Sequence, residues 1–142
     1  MLTKIEQYGV ILARGLISVV FFLNAFDVLD QARPLHEMVE RGVPAAIAPA
    51  AVWAGRILQL FAGTALLLGF QKRLAALALA AFLIPATLIA HPFWVYLGTP
   101  DLQNQLANFG KNLAIIGGLF YIASFTGGAS SKERVKAAAG SA

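Results

Sequence analysis

The sequence contains no cysteine. The chain therefore cannot form disulfides, thiolate metal sites or cysteine-ligated iron–sulfur clusters, and it has no thiol nucleophile. Any redox centre with which it works must be supplied by another molecule. The residues accordingly predict no intrinsic cofactor and no metal site.

Charged residues are also scarce. Only 13% of the 142 residues are charged, whereas 58% are hydrophobic. A soluble globular protein of this composition would have too little polar surface to cover itself, so the sequence predicts an integral membrane protein. The sequence pI near 9.8 reflects a net charge of only +4. Because the basic residues are dispersed at the ends of apolar stretches, membrane topology and anionic lipid account for them, and nucleic-acid binding is not predicted.

Four long apolar stretches predict an all-α fold, an integral membrane four-helix bundle. A helix needs about 20 apolar residues to cross the hydrocarbon core, because a backbone in lipid must satisfy its own hydrogen bonds. Between the first two stretches, apolar residues recur at helical spacing and predict a short amphipathic interfacial helix. The chain is thus predicted to form one transmembrane domain, residues 1–142, with spans at 8–26, 50–70, 74–90 and 106–125.

Basic residues are distributed unevenly between the two ends of the predicted spans. One end collects the amino terminus, the Lys72-Arg73 turn and the basic tail, residues 126–142, while the other end collects most of the acidic residues. Since Lys and Arg in short segments favour the cytoplasmic side, both termini are predicted to be cytoplasmic. The predicted location is the bacterial inner membrane, as a multi-pass protein.

Several polar residues interrupt the apolar spans. Arg56 and Gln59 are three residues apart, and Asn108 is followed by polar residues three and four positions later, so each set shares one helical face. All of them lie toward the outer ends of the spans, where we expect them to converge. The sequence therefore predicts a polar cavity that binds a ligand or cofactor and is formed by Asn24, Asp27, Arg56, Gln59, His91, Asn108, Lys111 and Asn112.

A charge inside the membrane is expected to have a partner, since an isolated one costs about 2.5 to 3.5 kcal/mol at mid-span. Asp27 is the acid nearest the outer end of a span, so it is predicted to pair with Arg56 or Lys111. Arg14 lies near the cytoplasmic edge and is predicted to snorkel there. The asparagines have a structural alternative, because hydrogen bonds between helices use the same residue type. His91, Asp27 and Lys111 can equally be interface residues at headgroup depth.

Four segments of the sequence resemble the DoxX family of small bacterial inner-membrane proteins. They are Arg14 early in span one, the Gly-Val-Pro turn at 42–44, the span-two ending LLLGFQKRLA at 66–75 and the segment KNLAIIGGL at 111–119. The resemblance covers about residues 8–125. It implies a four-helix membrane bundle that in some members is associated with quinone-linked oxidation of sulfur compounds or with an oxidative-stress membrane complex.

The sequence departs from the family pattern in two spans. Gln59 stands where the family often has glutamate, and Asn24 and Asp27 stand where a glycine and a lysine are common. Gln59 cannot titrate, so a proton relay built on glutamate is not carried over to this chain. One hypothesis is that the charges are exchanged, with Asp27 as the acid and Arg56 or Lys111 as the base.

Three functions remain open on the sequence alone. The first is an accessory, quinone-interacting subunit of a membrane redox system, in which Lys111, Asn112 or His91 donates to the quinone carbonyls and a redox partner subunit delivers electrons. The second is a membrane scaffold that anchors a soluble partner enzyme. The third is a small transporter or lipid-handling protein. A non-catalytic membrane subunit is favoured, or otherwise a quinone-linked oxidoreductase component. The expected partners are the lipid bilayer, a soluble or membrane redox subunit and a second copy of the chain.

Overall fold

The computed structural model describes residues 4–26 and 32–125. These residues form α-helices and one 3₁₀ helix and contain no strand. The α-helices are α1 (Lys4–Ala25), α2 (Ala32–Glu40), α3 (Ala48–Leu68), α4 (Lys72–Ala90) and α5 (Leu102–Phe125), and the 3₁₀ helix is Phe93–Tyr96. Four of the helices are long and apolar enough to cross a membrane, which confirms the predicted all-α spanning fold. The short helix α2 lies where an interfacial helix was predicted, whereas the tail at 126–142 is outside the described residues.

The first and last helices each begin four residues before their predicted spans, α1 at Lys4 instead of residue 8. The start of the last helix has a local explanation. It begins at Leu102 and not at residue 106. The turn before it explains the early start, because Thr99 and Asp101 accept the first backbone hydrogen bonds of the helix, from Leu102 and Gln105. The first turn is polar, so hydropathy alone did not include it.

The long helices alternate in direction and pack in the order α1, α3, α4, α5. We call the end of the bundle that holds the α3–α4 turn the hairpin end, and the end that holds α2 and the 3₁₀ helix the loop end. α2 packs against α3 and α4 at the loop end. It is also linked to the 3₁₀ helix, because Arg41 donates a 3.3 Å hydrogen bond to the Tyr96 hydroxyl.

The core of the bundle consists of large side chains set among small ones. Phe21, Leu66, Leu79 and Leu119 are fully buried, one from each long helix. Glycines on the buried side of α3 let neighbouring aromatic rings approach its backbone. A Cβ added to Gly55 would lie 2.7 Å from Cε2 of Phe82 on α4. The outer surfaces of the helices carry many exposed Leu, Ile, Val and Phe side chains, as expected for a surface in contact with lipid.

The turn between α3 and α4 is very short and uses two left-handed residues. Gly69 ends α3 with φ 78°, and Gln71 precedes α4 with φ 43°. The amides of Gly69 and Phe70 donate back to the carbonyls of the last turn of α3, with a 2.8 Å bond from Phe70 to Ala65. This is the glycine-based C-cap expected where a helix stops abruptly.

Candidate functional site

The polar pair predicted on the second span is buried in the bundle. Arg56 is 8% exposed and Gln59 is 4% exposed, and both lie on the buried stripe of α3. The guanidinium of Arg56 lies 5.2 Å from the ring centroid of Trp53, which is the geometry of a cation–π contact. Gln59 lies midway along the 21 residues of α3, at the inner limit of the outer half of the span in which the sequence placed it.

The carboxamide of Gln59 is only half satisfied. Its Nε2 donates a 3.2 Å hydrogen bond to the Gly55 carbonyl one turn earlier. Its Oε1 is buried, and within the part of the chain that the structure describes no donor reaches it. A buried acceptor without a donor costs about 1–3 kcal/mol, so it marks a position where another molecule can supply a proton donor.

Aromatic rings contact the turns of α3 on either side of Gln59. Gly55 and Gly63 lie one turn to either side of it on the same stripe of α3. Gly55 faces Phe82 of α4, and a Cβ on Gly63 would lie 3.2 Å from Cε1 of Phe22 on α1. The amide therefore lies in the middle of the bundle, between turns of α3 that contact aromatic rings on both neighbouring helices.

Two hydrogen bonds join α4 to α5 nearer the loop end. In the first of them, Asn112 Nδ2 donates to the Thr87 hydroxyl over 3.1 Å. That hydroxyl donates within α4, to the Leu83 carbonyl over 2.6 Å. One turn further along α4, His91 Nδ1 lies 3.0 Å from Oε1 of Gln105. Since an amide oxygen only accepts, this contact requires the tautomer of His91 that carries its hydrogen on Nδ1.

These residues occupy successive levels along the bundle. The contact between Gly55 of α3 and the Phe82 ring of α4 places these two residues at a similar level along the bundle. Thr87, five residues further along α4, then lies about 7.5 Å closer to the loop end. Gln59, four residues further along α3, lies about 6 Å closer to the hairpin end. Along the bundle axis the polar side chains thus fall into two groups, the α4–α5 pairs nearer the loop end and the Arg56–Gln59 pair toward mid-span. We call the two groups together the polar column and define it as Arg56, Gln59, Thr87, His91, Gln105 and Asn112.

The other predicted site residues do not join the polar column. Lys111 is exposed on the outer side of α5 and donates a 2.9 Å hydrogen bond to Asn108 Oδ1. Asn108 in turn donates to the backbone carbonyl and the side chain of Asn104. Asn24 is exposed on α1. Asp27, with its predicted ion pair to Arg56 or Lys111, is outside the described residues.

The expectation of a common inward face for Asn108, Lys111 and Asn112 is therefore not met. Asn112 is half-buried and bonds to α4, whereas the ammonium of Lys111 lies on the surface. The two residues are adjacent in sequence and so differ by about 100° around the helix. Only one of them can face α4.

Two residues of the polar column, Thr87 and Gln105, were not predicted. Both are buried, and Gln105 is 6% exposed. A weak signal was present in the spacing, because Thr87 is four residues before His91 and Gln105 is seven residues before Asn112. Each pair thus lies on one helical face. Ser18, also buried, was missed as well, and it joins α1 to α3 by donating a 3.1 Å bond to the Gly63 carbonyl.

Arg14 occupies a position at the hairpin end that differs from the predicted one. Instead of extending freely toward headgroups, its guanidinium packs on the C-terminal end of α3, where Nη1 lies 2.5 Å from the position of a Cβ on Gly69. The carboxyl end of a helix carries partial negative charge, which favours a cation there. Arg14 Nε is buried and meets no acceptor among the described residues.

The polar column offers hydrogen-bonding side chains of several kinds. Its side chains are a guanidinium, amides, an imidazole and a hydroxyl, which form hydrogen bonds and carry no unpaired electrons. Among the described residues there is no group of three or more His, Cys, Asp or Glu that could hold a metal ion. The arrangement is thus rich in hydrogen-bonding groups.

Comparison with known proteins agrees with this architecture. The family model DoxX matches residues 9–92, which is more than half of the chain. The "Inner membrane protein YqjF" of Escherichia coli (strain K12) is 30% identical over 133 residues, which cover 93% of this chain and 95% of that protein. No solved structure matches. With four spanning helices and this family match, the chain is a multi-pass membrane protein and belongs to the DoxX family.

Proposed function

We propose that this protein is a quinone-interacting accessory subunit of a redox system in the bacterial inner membrane, and that the polar column receives the quinone head group. The observation that carries the proposal is the burial of Arg56 and Gln59 in the middle of a spanning helix. Polar residues inside a membrane are costly and are commonly functional. Their position at mid-span suits a ligand that is itself dissolved in the lipid.

The chemistry of the column fits a quinone head group. Arg56 carries five N–H donors, and quinone oxygens accept hydrogen bonds. The glycines beside Gln59 let aromatic rings approach α3, as Phe82 does at Gly55. A planar ring between aromatic side chains gains dispersion and stacking energy.

The protein's own contribution is binding and orientation. Conversion of a quinone to a quinol takes two electrons and two protons, and the described side chains supply no electrons. A redox-active partner subunit delivers the two electrons in this proposal. Lys111, expected to donate to the quinone, lies on the outer surface and is not assigned that role.

The test is photoaffinity labelling with an azidoquinone in nanodiscs that contain the purified protein. We expect saturable labelling on the inner faces of α3 and α4, competed by the unlabelled quinone and not by an isoprenoid alcohol with the same tail. The variant Arg56→Gln should lose most of the labelling. Arg73→Gln is the matched control, since Arg73 is exposed at the hairpin end, and should keep it. Labelling that is unsaturable, or equal in both variants, would refute the proposal.

A further inference from the structure

The orientation of the Gln59 carboxamide is fixed by its own helix. If the amide were flipped, Oε1 would face the Gly55 carbonyl, and two acceptors would meet at the 3.2 Å separation now occupied by a hydrogen bond. The donor end is therefore turned toward the backbone of α3. The end left for any ligand is the acceptor, Oε1, which is buried.

The neighbouring groups of the polar column do not supply a donor to this oxygen. Asn112 Nδ2 is bonded to Thr87, the Thr87 hydroxyl donates to the Leu83 carbonyl, and His91 Nδ1 is bonded to Gln105. All three contacts lie closer to the loop end than Gln59. The deepest polar group of the column thus presents an acceptor about one turn of α3 from Arg56.

We infer that Gln59 makes the site selective for the reduced, hydroxyl-bearing form of its ligand, a quinol, over the corresponding quinone. This inference rests on the proposed function and adds the redox state of the ligand to it. A quinol hydroxyl donates its hydrogen to Oε1 while its oxygen still accepts from the guanidinium of Arg56. A quinone oxygen only accepts, so it leaves Oε1 unpaired and places two acceptors side by side.

The expected selectivity follows from the hydrogen bond to the buried Oε1 atom, which the quinol forms and the quinone does not. That difference corresponds to about tenfold in affinity. A quinol whose hydroxyls are methylated keeps the ring and its substituents but cannot donate. It should bind with about the affinity of the quinone, and both should bind about tenfold more weakly than the quinol.

The experiment is anaerobic competition against a radiolabelled azidoquinone in nanodiscs, with the quinol, the quinone and the quinol dimethyl ether as competitors. In wild type the quinol should displace the label at about one tenth of the concentration needed for the others. In Gln59→Leu the three competitors should become equivalent. Gln59→Met, unbranched and without an amide, serves as the second variant should the leucine disturb folding. Gln103→Leu, which alters an exposed glutamine, should leave the preference intact.

The possible results separate the inference from the function on which it rests. A quinol preference that disappears with Gln59 supports both. Saturable binding without a quinol preference, or with a preference that survives Gln59→Leu and Gln59→Met, overturns the inference and leaves the quinone function standing. Absence of saturable binding by all three compounds overturns the proposed function and the inference with it.

Discussion

Replacement of Gln59 by leucine should stabilise the ligand-free protein, although most substitutions of buried residues destabilise. The buried Oε1 atom has no donor among the described residues, and such an atom costs about 1–3 kcal/mol. The substitution also deletes the bond from Nε2 to the Gly55 carbonyl, which is worth about 0.5–1.5 kcal/mol. That carbonyl keeps its helical bond from the backbone amide one turn later, so no new unpaired group is created. We expect a net gain of about 1 kcal/mol in the free energy of unfolding.

Gln105→Leu is the matched control and should lower the free energy of unfolding, where Gln59→Leu should raise it. Gln105 is as buried as Gln59, but its Oε1 is bonded to His91 Nδ1 over 3.0 Å. Leucine at this position leaves the imidazole N–H without its acceptor. We expect a loss of about 1–2 kcal/mol, toward the lower end because His91 is only half-buried.

The assay is reversible unfolding in mixed micelles by titration with sodium dodecyl sulfate, followed by tryptophan fluorescence. The protein must first be stripped of lipid-soluble ligands, since a ligand that binds only the folded state would raise the stability of wild type alone. A Gln59→Leu variant that is less stable than wild type by 1 kcal/mol or more would show that Oε1 has a donor in the folded protein. The reasoning about the unpaired acceptor would then be wrong.

Three further predictions concern the hairpin turn, the α4–α5 contact and the topology. Gly69→Ala should lower the free energy of unfolding by about 1–2 kcal/mol for its left-handed φ, because the guanidinium end of Arg14 can move away from the added Cβ. Gly98→Ala, with φ 79° and open space at its Cβ, should show the same backbone cost, and a clearly larger loss at Gly69 would show that the guanidinium cannot move. A double-mutant cycle of Thr87→Val and Asn112→Leu should give a coupling of about 0.6 kcal/mol, and a value near zero would contradict that bond. Arg73→Cys, in a chain without native cysteine, should react with an impermeant maleimide only from the cytoplasmic side, and labelling from outside would reverse the predicted topology.

The fold could be predicted from the sequence because the bilayer imposes a simple rule on helix length and polarity. Four apolar stretches gave four spanning helices, and the turn signal near Gly69 gave the tight connection between two of them. The predicted span left out the first turn of α5, which begins at Leu102, because that turn is polar. Hydropathy locates the part of a helix that lies in lipid and not the part that extends beyond it.

The candidate site was only partly predictable, because the sequence does not show how each helix is rotated about its own axis in the bundle. The periodicity of α3 placed Arg56 and Gln59 on one face, and burial of that face followed from their cost in lipid. On α5, the sequence could not decide whether Lys111 or Asn112 turns toward α4. That choice depends on how the large core residues, such as Leu119, set the rotation of the helix. Such packing is a property of the assembled bundle.

The tight turn between α3 and α4 also bears on how the chain enters the membrane. With two left-handed residues and a closed C-cap at Gly69, the turn leaves the two helices little freedom to separate. α3 carries a buried Arg56 and Gln59, whereas α4 belongs to the most apolar of the four spans. Inserted as a paired hairpin, the apolar helix offsets the transfer cost of the polar one, and the two polar side chains partition into the bilayer already facing a neighbour. We therefore expect the turn to influence how the two helices insert into the membrane as well as how they pack in the folded bundle.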